Sequence, residues 1–174
     1  MYIYSVTKYN PDTRGKIGEW IDMSCIGDTY DGIVFTLEEY LRVEANYIEA
    51  IERIMDDLGV KTLTVSYLER RFHDYAYHPS SRRAFNGLYP IRMRDMRKKM
   101  KTGNVLSRRH IPNMLRLMLR NGLYAELEHK AEGSDEAYMF KVFIGYDYMM
   151  GVHSAVDLSS LQDELRQLAM YLED

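Results

Sequence analysis

Between Thr36 and Leu58 the apolar residues Tyr40, Val43, Tyr47, Ile51, Ile54 and Leu58 recur every three or four positions. That spacing predicts one long helix with a single buried stripe. Thr36 is a good N-cap, and Glu39 three residues later has the spacing of a capping box. Glu38 and Glu39 suit the positive end of the helix dipole, and Gly59 supplies a left-handed stop. The opposite face reads as acidic: Glu38, Glu44, Glu49, Glu52 and Asp56.

Alternation takes over on either side of this helix. Tyr2 to Thr7 reads as a strand closed by Asn10-Pro11-Asp12, and Ile33-Val34-Phe35 as a short extended piece. Leu63, Val65 and Tyr67 alternate with Thr62, Thr64 and Ser66 as a half-buried strand. Residues 70–90 hold no period. Arg92 to Lys101 predicts a short helix with Met93, Met96 and Met100 on one side, followed by a brief strand over Asn104 to Ser107. His110 to Asn121 predicts an amphipathic helix stopped by Gly122. Leu123 to His129, Ala137 to Gly145 and Tyr148 to His153 read as a β-meander with a Gly133-Ser134 turn. Leu158, Leu161, Leu165, Leu168 and Leu172 predict a closing helix. The expected fold is therefore α+β: one domain over 1–174, with an antiparallel-rich sheet, a long acidic helix and a C-terminal helix packed on it.

Composition changes the picture mainly through charge. The net charge of −3 conceals a segregation. Residues 70–109 hold twelve Lys or Arg against Asp74 and Asp95, a balance of +10, which leaves −13 on the rest of the chain. The segment reads as a basic insertion in an acidic body, an asymmetry that bears on partners and steering rather than on fold. No apolar run approaches a membrane span, the amino terminus lacks a signal-peptide layout, and Cys25 is the single cysteine. These features lead us to expect a cytoplasmic protein without a disulfide or membrane partner.

Candidate chemistry is sparse. His73 and His78 have only Asp74 nearby, too few ligands for a metal. His110 stands at a helix start, where a structural role is expected. His129 and His153, from separate strands, are the one pair with acid–base potential. No nucleophile elbow or phosphate-cradling glycine loop accompanies them. We therefore expect no enzyme, cofactor or metal. The fifteen tyrosines suit a binding surface, with Tyr75 and Tyr77 in the basic segment as candidates. That segment, through Arg82, Arg83, Arg92, Arg94, Arg97, Lys98 and Lys99, also allows a nucleic-acid-binding regulator, although the acidic body disfavours a polyanion.

Several blocks also carry a resemblance. Glu19-Trp20, Ser24, Ile26-Gly27 and Tyr30-Asp31-Gly32 precede Thr36, Glu39-Tyr40-Leu41, Val43-Glu44, Tyr47-Ile48, Ala50 and the strand ending Leu68-Glu69. Pro112 to Leu119 and Phe143-Ile144-Gly145-Tyr146-Asp147-Tyr148 follow. This order resembles the small immunity proteins of bacterial contact-dependent growth inhibition and polymorphic toxin systems, over roughly the first and last 70 residues. The basic 70–109 segment departs from the pattern. The resemblance implies a protein that binds a cognate toxin C-terminal domain, in many systems a nuclease, and neutralises it by tight complex formation. The contact residues expected for a basic partner are Asp12, Asp28, Asp31, Glu38, Glu44, Glu49, Glu52 and Asp56. Tyr75, Tyr77 and Arg97 form a second candidate surface.

Overall fold

The computed structural model describes residues 1–13, 23–70, 91–130 and 138–174. Residues 71–90 of the basic insertion, including Tyr75 and Tyr77, and the Gly133-Ser134 turn lie outside the described residues. Within them the fold is α+β, built on a seven-stranded sheet.

The strands are β1 (Tyr2–Thr7), β4 (Thr62–Glu69), β5 (Val105–Ser107), β6 (Tyr124–Lys130), β7 (Tyr138–Ile144), β8 (Met150–Ser154) and β9 (Tyr171–Glu173). They lie in the order β5-β4-β6-β7-β8-β1-β9, and every pairing is antiparallel. A separate hairpin joins β2 (Thr29–Tyr30) to β3 (Ile33–Val34). The helices are α1 (Leu37–Asp57), α2 (Ile91–Lys99), α3 (Ile111–Leu119) and the short α4 (Gln162–Arg166).

Sheet register explains which residues form the core. Leu127, Val142, Val152 and Tyr4 stand side by side across four strands and are buried. The next row, Glu128, Lys141, His153 and Ile3, faces the other way, as the two-residue pleat requires. Residues of α1, α2 and α3 join the first face in one hydrophobic cluster. Each fully buried aliphatic side chain there contributes about 1.5–3 kcal/mol. No described helix covers the second face.

Helix α1 follows its sequence signals closely. The Glu39 amide donates to Thr36 Oγ1 at 3.2 Å. Glu39 does not return the bond to Thr36; its carboxylate grips Arg42 at 2.6 and 2.8 Å, which holds the carboxyl below the usual range. At the other end Gly59 adopts φ +65°. The Val60 amide donates to Met55 O at 2.8 Å and the Gly59 amide to Asp56 O at 3.1 Å, a Schellman ending.

Two expectations about helix ends change. Helix α3 closes through Asn121, at φ +54°, one residue before Gly122. The Gly122 amide then donates to Leu117 O at 2.8 Å. Asparagine tolerates this conformation because its short polar side chain bonds locally. The closing helix over Leu158 to Leu172 is present but short. After α4 the chain turns at Ala169, φ +53°, and residues 171–173 become an edge strand on β1. Leu172 is buried as a strand residue, while Leu158, Leu161 and Leu165 reach the core from the helical turns.

Candidate functional surface

The acidic face expected on α1 is largely neutralised within the molecule. Glu49 is exposed, but Arg53 Nη2 lies 2.5 Å from it while Nη1 bridges to Glu164 at 3.2 Å. Asp56 pairs with Arg108, which also reaches the Glu52 carbonyl at 3.4 Å. Exposed pairs of this kind contribute little to stability, yet they reduce the negative field expected from Glu49 and Asp56.

Glu44 corrects the sequence reading. Its side chain is 3% exposed, and Arg120, 6% exposed, holds both carboxylate oxygens at 2.6 Å. The cause is helical phase. Glu44 lies four residues after Tyr40 and three before Tyr47, both fully buried, so it falls on the apolar stripe. A carboxylate in that position needs a buried cation, and the Arg at the end of α3 provides it. Arg97, expected as a contact residue, is half-buried and its Nε donates to Gly122 O at 2.6 Å. Arg70 donates to the Arg97, Lys98 and Met100 carbonyls and so closes the end of α2.

A smaller patch emerges beside the start of α1. Asp31 and Gly32, at φ +48° and +79°, form the left-handed pair that a tight two-residue hairpin turn needs. The ladder extends to the chain on each side: the Gly27 amide donates to Phe35 O and the Phe35 amide to Asp28 O, each at 2.8 Å. Phe35 is buried as the anchor. Ile33 and Val34, successive and so on opposite faces of the ribbon, remain 74% and 53% exposed. Around them stand the exposed carboxylates of Asp28, Asp31 and Glu38, none with a hydrogen bond or ion pair. From Met23 to Leu41 the sequence contains no Lys or Arg. An apolar centre with a single-sign rim is the anatomy of a protein contact. The turn signal was readable in sequence, but the exposure of Ile33 and Val34 was not. Asp12 is exposed in the loop after β1, where its amide donates to Asn10 Oδ1 at 2.9 Å.

A second surface lies where β7 turns into β8. Asp147 and Tyr148 have φ +52° and +59°, and the Met149 amide closes on Tyr146 O at 3.0 Å. Two successive left-handed L-residues cost roughly 1–2 kcal/mol each. The surroundings hold them in place. Tyr9 Oη donates to Asp147 O at 2.8 Å, and Tyr47 Oη to Tyr148 O at 2.6 Å. The Tyr148 ring is buried against Tyr40 and Tyr47, with centroids 5.8 and 5.3 Å away. Burial, followed by the nearby Tyr40 and Glu44, pushes its phenol well up from 10. At the apex, Tyr146 is 90% exposed.

The sheet face that no described helix covers carries its own cluster. Lys141 Nζ lies 2.5 Å from Glu126 and 3.4 Å from Glu128, and 5.4 and 5.9 Å from the Tyr138 and Phe143 ring centroids. His153 stacks on Tyr138 and accepts or donates a 2.9 Å bond with its hydroxyl. Its partial burial, then the charge of Lys141, lowers its pKa from 6.5. His129 instead sits 3.0 Å from Thr62 O. On β7 it pairs with Phe140, whereas His153 pairs with Lys141. Rows one residue apart point the two rings to opposite faces, so the structure does not bring this pair together. His110 Nδ1 lies 3.1 Å from Ser107 Oγ, beside the start of α3, while His73 and His78 lie outside the described residues. Among the described residues no three His, Cys, Asp or Glu side chains gather as a metal site, and no described helix is long and apolar enough to cross a membrane. Compared with family models, curated proteins and solved structures, the chain finds no match.

Proposed function

We propose that this chain is a non-enzymatic inhibitor that binds a basic protein partner, acting as the immunity protein of a bacterial toxin system. The toxin class comes from the sequence resemblance. The observation that carries the binding reading is the β2–β3 hairpin, whose exposed Ile33 and Val34 are ringed by unpaired Asp28, Asp31 and Glu38. Apolar contact at the centre supplies affinity, and the carboxylate rim steers a cationic surface and sets specificity. The interface therefore moves from the middle of α1, where Glu44 and Glu49 are already paired, to its first turn and the hairpin before it.

The test is titration against the toxin C-terminal domain encoded in the adjacent reading frame. Reversing Asp28, Asp31 and Glu38 together to Lys slows association by about tenfold or more at low salt, since rim charges act mainly on the on-rate. Reversing Glu49 and Glu52 changes it far less. A wild-type chain that leaves the toxin active and forms no complex refutes the reading. A tight complex with RNA or DNA at physiological salt would favour the nucleic-acid alternative instead, through exposed Arg92, Lys98, Lys99, Lys101 and Arg109.

A further inference from the structure

The β7–β8 turn is built at a conformational cost that its sequence did not need to incur. A tight turn with two left-handed residues is made most cheaply by Asn-Gly or Asp-Gly. This chain places Asp147 and Tyr148 there, both at positive φ. Tyr148 has a packing reason, because its ring fills the space between Tyr40 and Tyr47. Tyr146 has none. Its ring points into solvent at 90% exposure, and neither it nor the Asp147 carboxylate has a hydrogen bond, ion pair or ring contact.

The turn is nevertheless secured from both sides, by Tyr9 Oη on the Asp147 carbonyl and Tyr47 Oη on the Tyr148 carbonyl. Tyr47 Oη also accepts from the Lys8 amide at 2.9 Å, tying the turn to the end of β1. An exposed aromatic side chain on backbone held this firmly loses little freedom when it is buried by a partner. Strained backbone maintained by surrounding bonds is found disproportionately at binding and catalytic sites.

We propose that Tyr146 is an aromatic anchor that inserts into a pocket of the bound protein, with Asp147 meeting a cationic side chain at the pocket's rim. The partner chemistry follows from what the apex carries: one uncovered ring, which is attracted to a cation over its face, and one uncompensated carboxylate. Through Tyr148 the turn packs on Tyr40 and Tyr47 of α1, the helix that the acid-rimmed hairpin leads into. Hairpin and apex thus both adjoin the first half of that helix, and both favour a basic partner. The inference rests on the binding reading above and adds the residue that enters the partner.

The probe is the same adjacent toxin domain, titrated by calorimetry and surface plasmon resonance with the full chain. Tyr146→Ala weakens the complex by about 30-fold or more, as expected of a central aromatic contact, while Tyr146→Phe stays within about threefold because the ring, not the hydroxyl, makes the contact. Asp147→Asn lowers the on-rate and flattens its salt dependence. Tyr67→Ala, which removes a half-exposed tyrosine from the second sheet face, has no effect on affinity. The three turn variants melt close to the parent, and Tyr67→Ala, which loses its edge contact with Tyr124, is compared at a temperature where circular dichroism shows it folded. A parent chain that binds tightly while Tyr146→Ala binds equally well overturns this inference and leaves the inhibitor reading standing. A parent chain that does not bind overturns both.

Discussion

Replacing Arg120 by Met removes the side chain that grips both oxygens of buried Glu44. The two bonds are 2.6 Å each, and the side chains are 6% and 3% exposed. Hydrogen bonds to charged groups are worth about 1.5–3 kcal/mol, so two of them bracket a loss of roughly 3–6 kcal/mol. Breaking one side of a buried ion pair typically costs about 3–5 kcal/mol. Arg116, 3.8 Å from Glu44 and partly exposed, is placed to recover only part of that. For a chain of this size the expected fall in melting temperature is on the order of 6–20 °C. Changing both partners, Glu44→Leu with Arg120→Met, should restore most of the loss, because two apolar side chains of similar volume need no solvation. Urea unfolding of the parent, both single variants and the double variant closes the cycle, with equal m values confirming a comparable unfolding transition. If Arg120→Met loses less than about 1 kcal/mol, or if the double variant is as unstable as the two single losses added together, Glu44 is not a buried charge dependent on Arg120 and the argument fails.

The ends of α1 give paired outcomes. Thr36→Ala removes the acceptor of the Glu39 amide and is expected to cost about 1 kcal/mol. Gly59→Ala is expected to cost a similar ~1 kcal/mol through φ +65° alone, since an added Cβ meets nothing within 4 Å. Both are read from denaturant midpoints, and a neutral Gly59→Ala would remove the left-handed stop from the account. His153 sets an acid limb. Its folded pKa lies below 6.5, so the unfolded chain binds more protons and stability falls as pH drops from about 6.5 through the lower folded value. His153→Gln should flatten the melting temperature over that window, and an unchanged pH profile would show that His153 does not contribute to it.

How readable each part was depended on how far away its cause lay. Thr36, Gly59 and the Asp31-Gly32 turn act on residues within a few positions, and their structural consequences follow from local chemistry. Glu44 was misread although its phase with Tyr40 and Tyr47 was visible, because its partner Arg120 lies 76 residues further on. The pairing of Glu49 with Arg53 was available from i,i+4 spacing, whereas that of Asp56 with Arg108 was not. The closing helix was overextended for a related reason. Leu172 satisfies the helical period, but its partner Val6 is at the other end of the chain. The exposure of Ile33, Val34 and Tyr146 depends on what the fold leaves uncovered, which no local pattern contains.

The position of β1 between β8 and β9 has a consequence for synthesis. β1 is synthesised before the other described strands, yet its partners among the described residues are 150–154 and 171–173. At about 5–20 residues per second, roughly 10–30 s pass before its neighbours exist. Throughout that time Tyr2 to Thr7 is a strand-forming segment with both edges open, available to other nascent chains. β1 can thus join the sheet only after β8 has been made, although it precedes β8 by more than 140 residues.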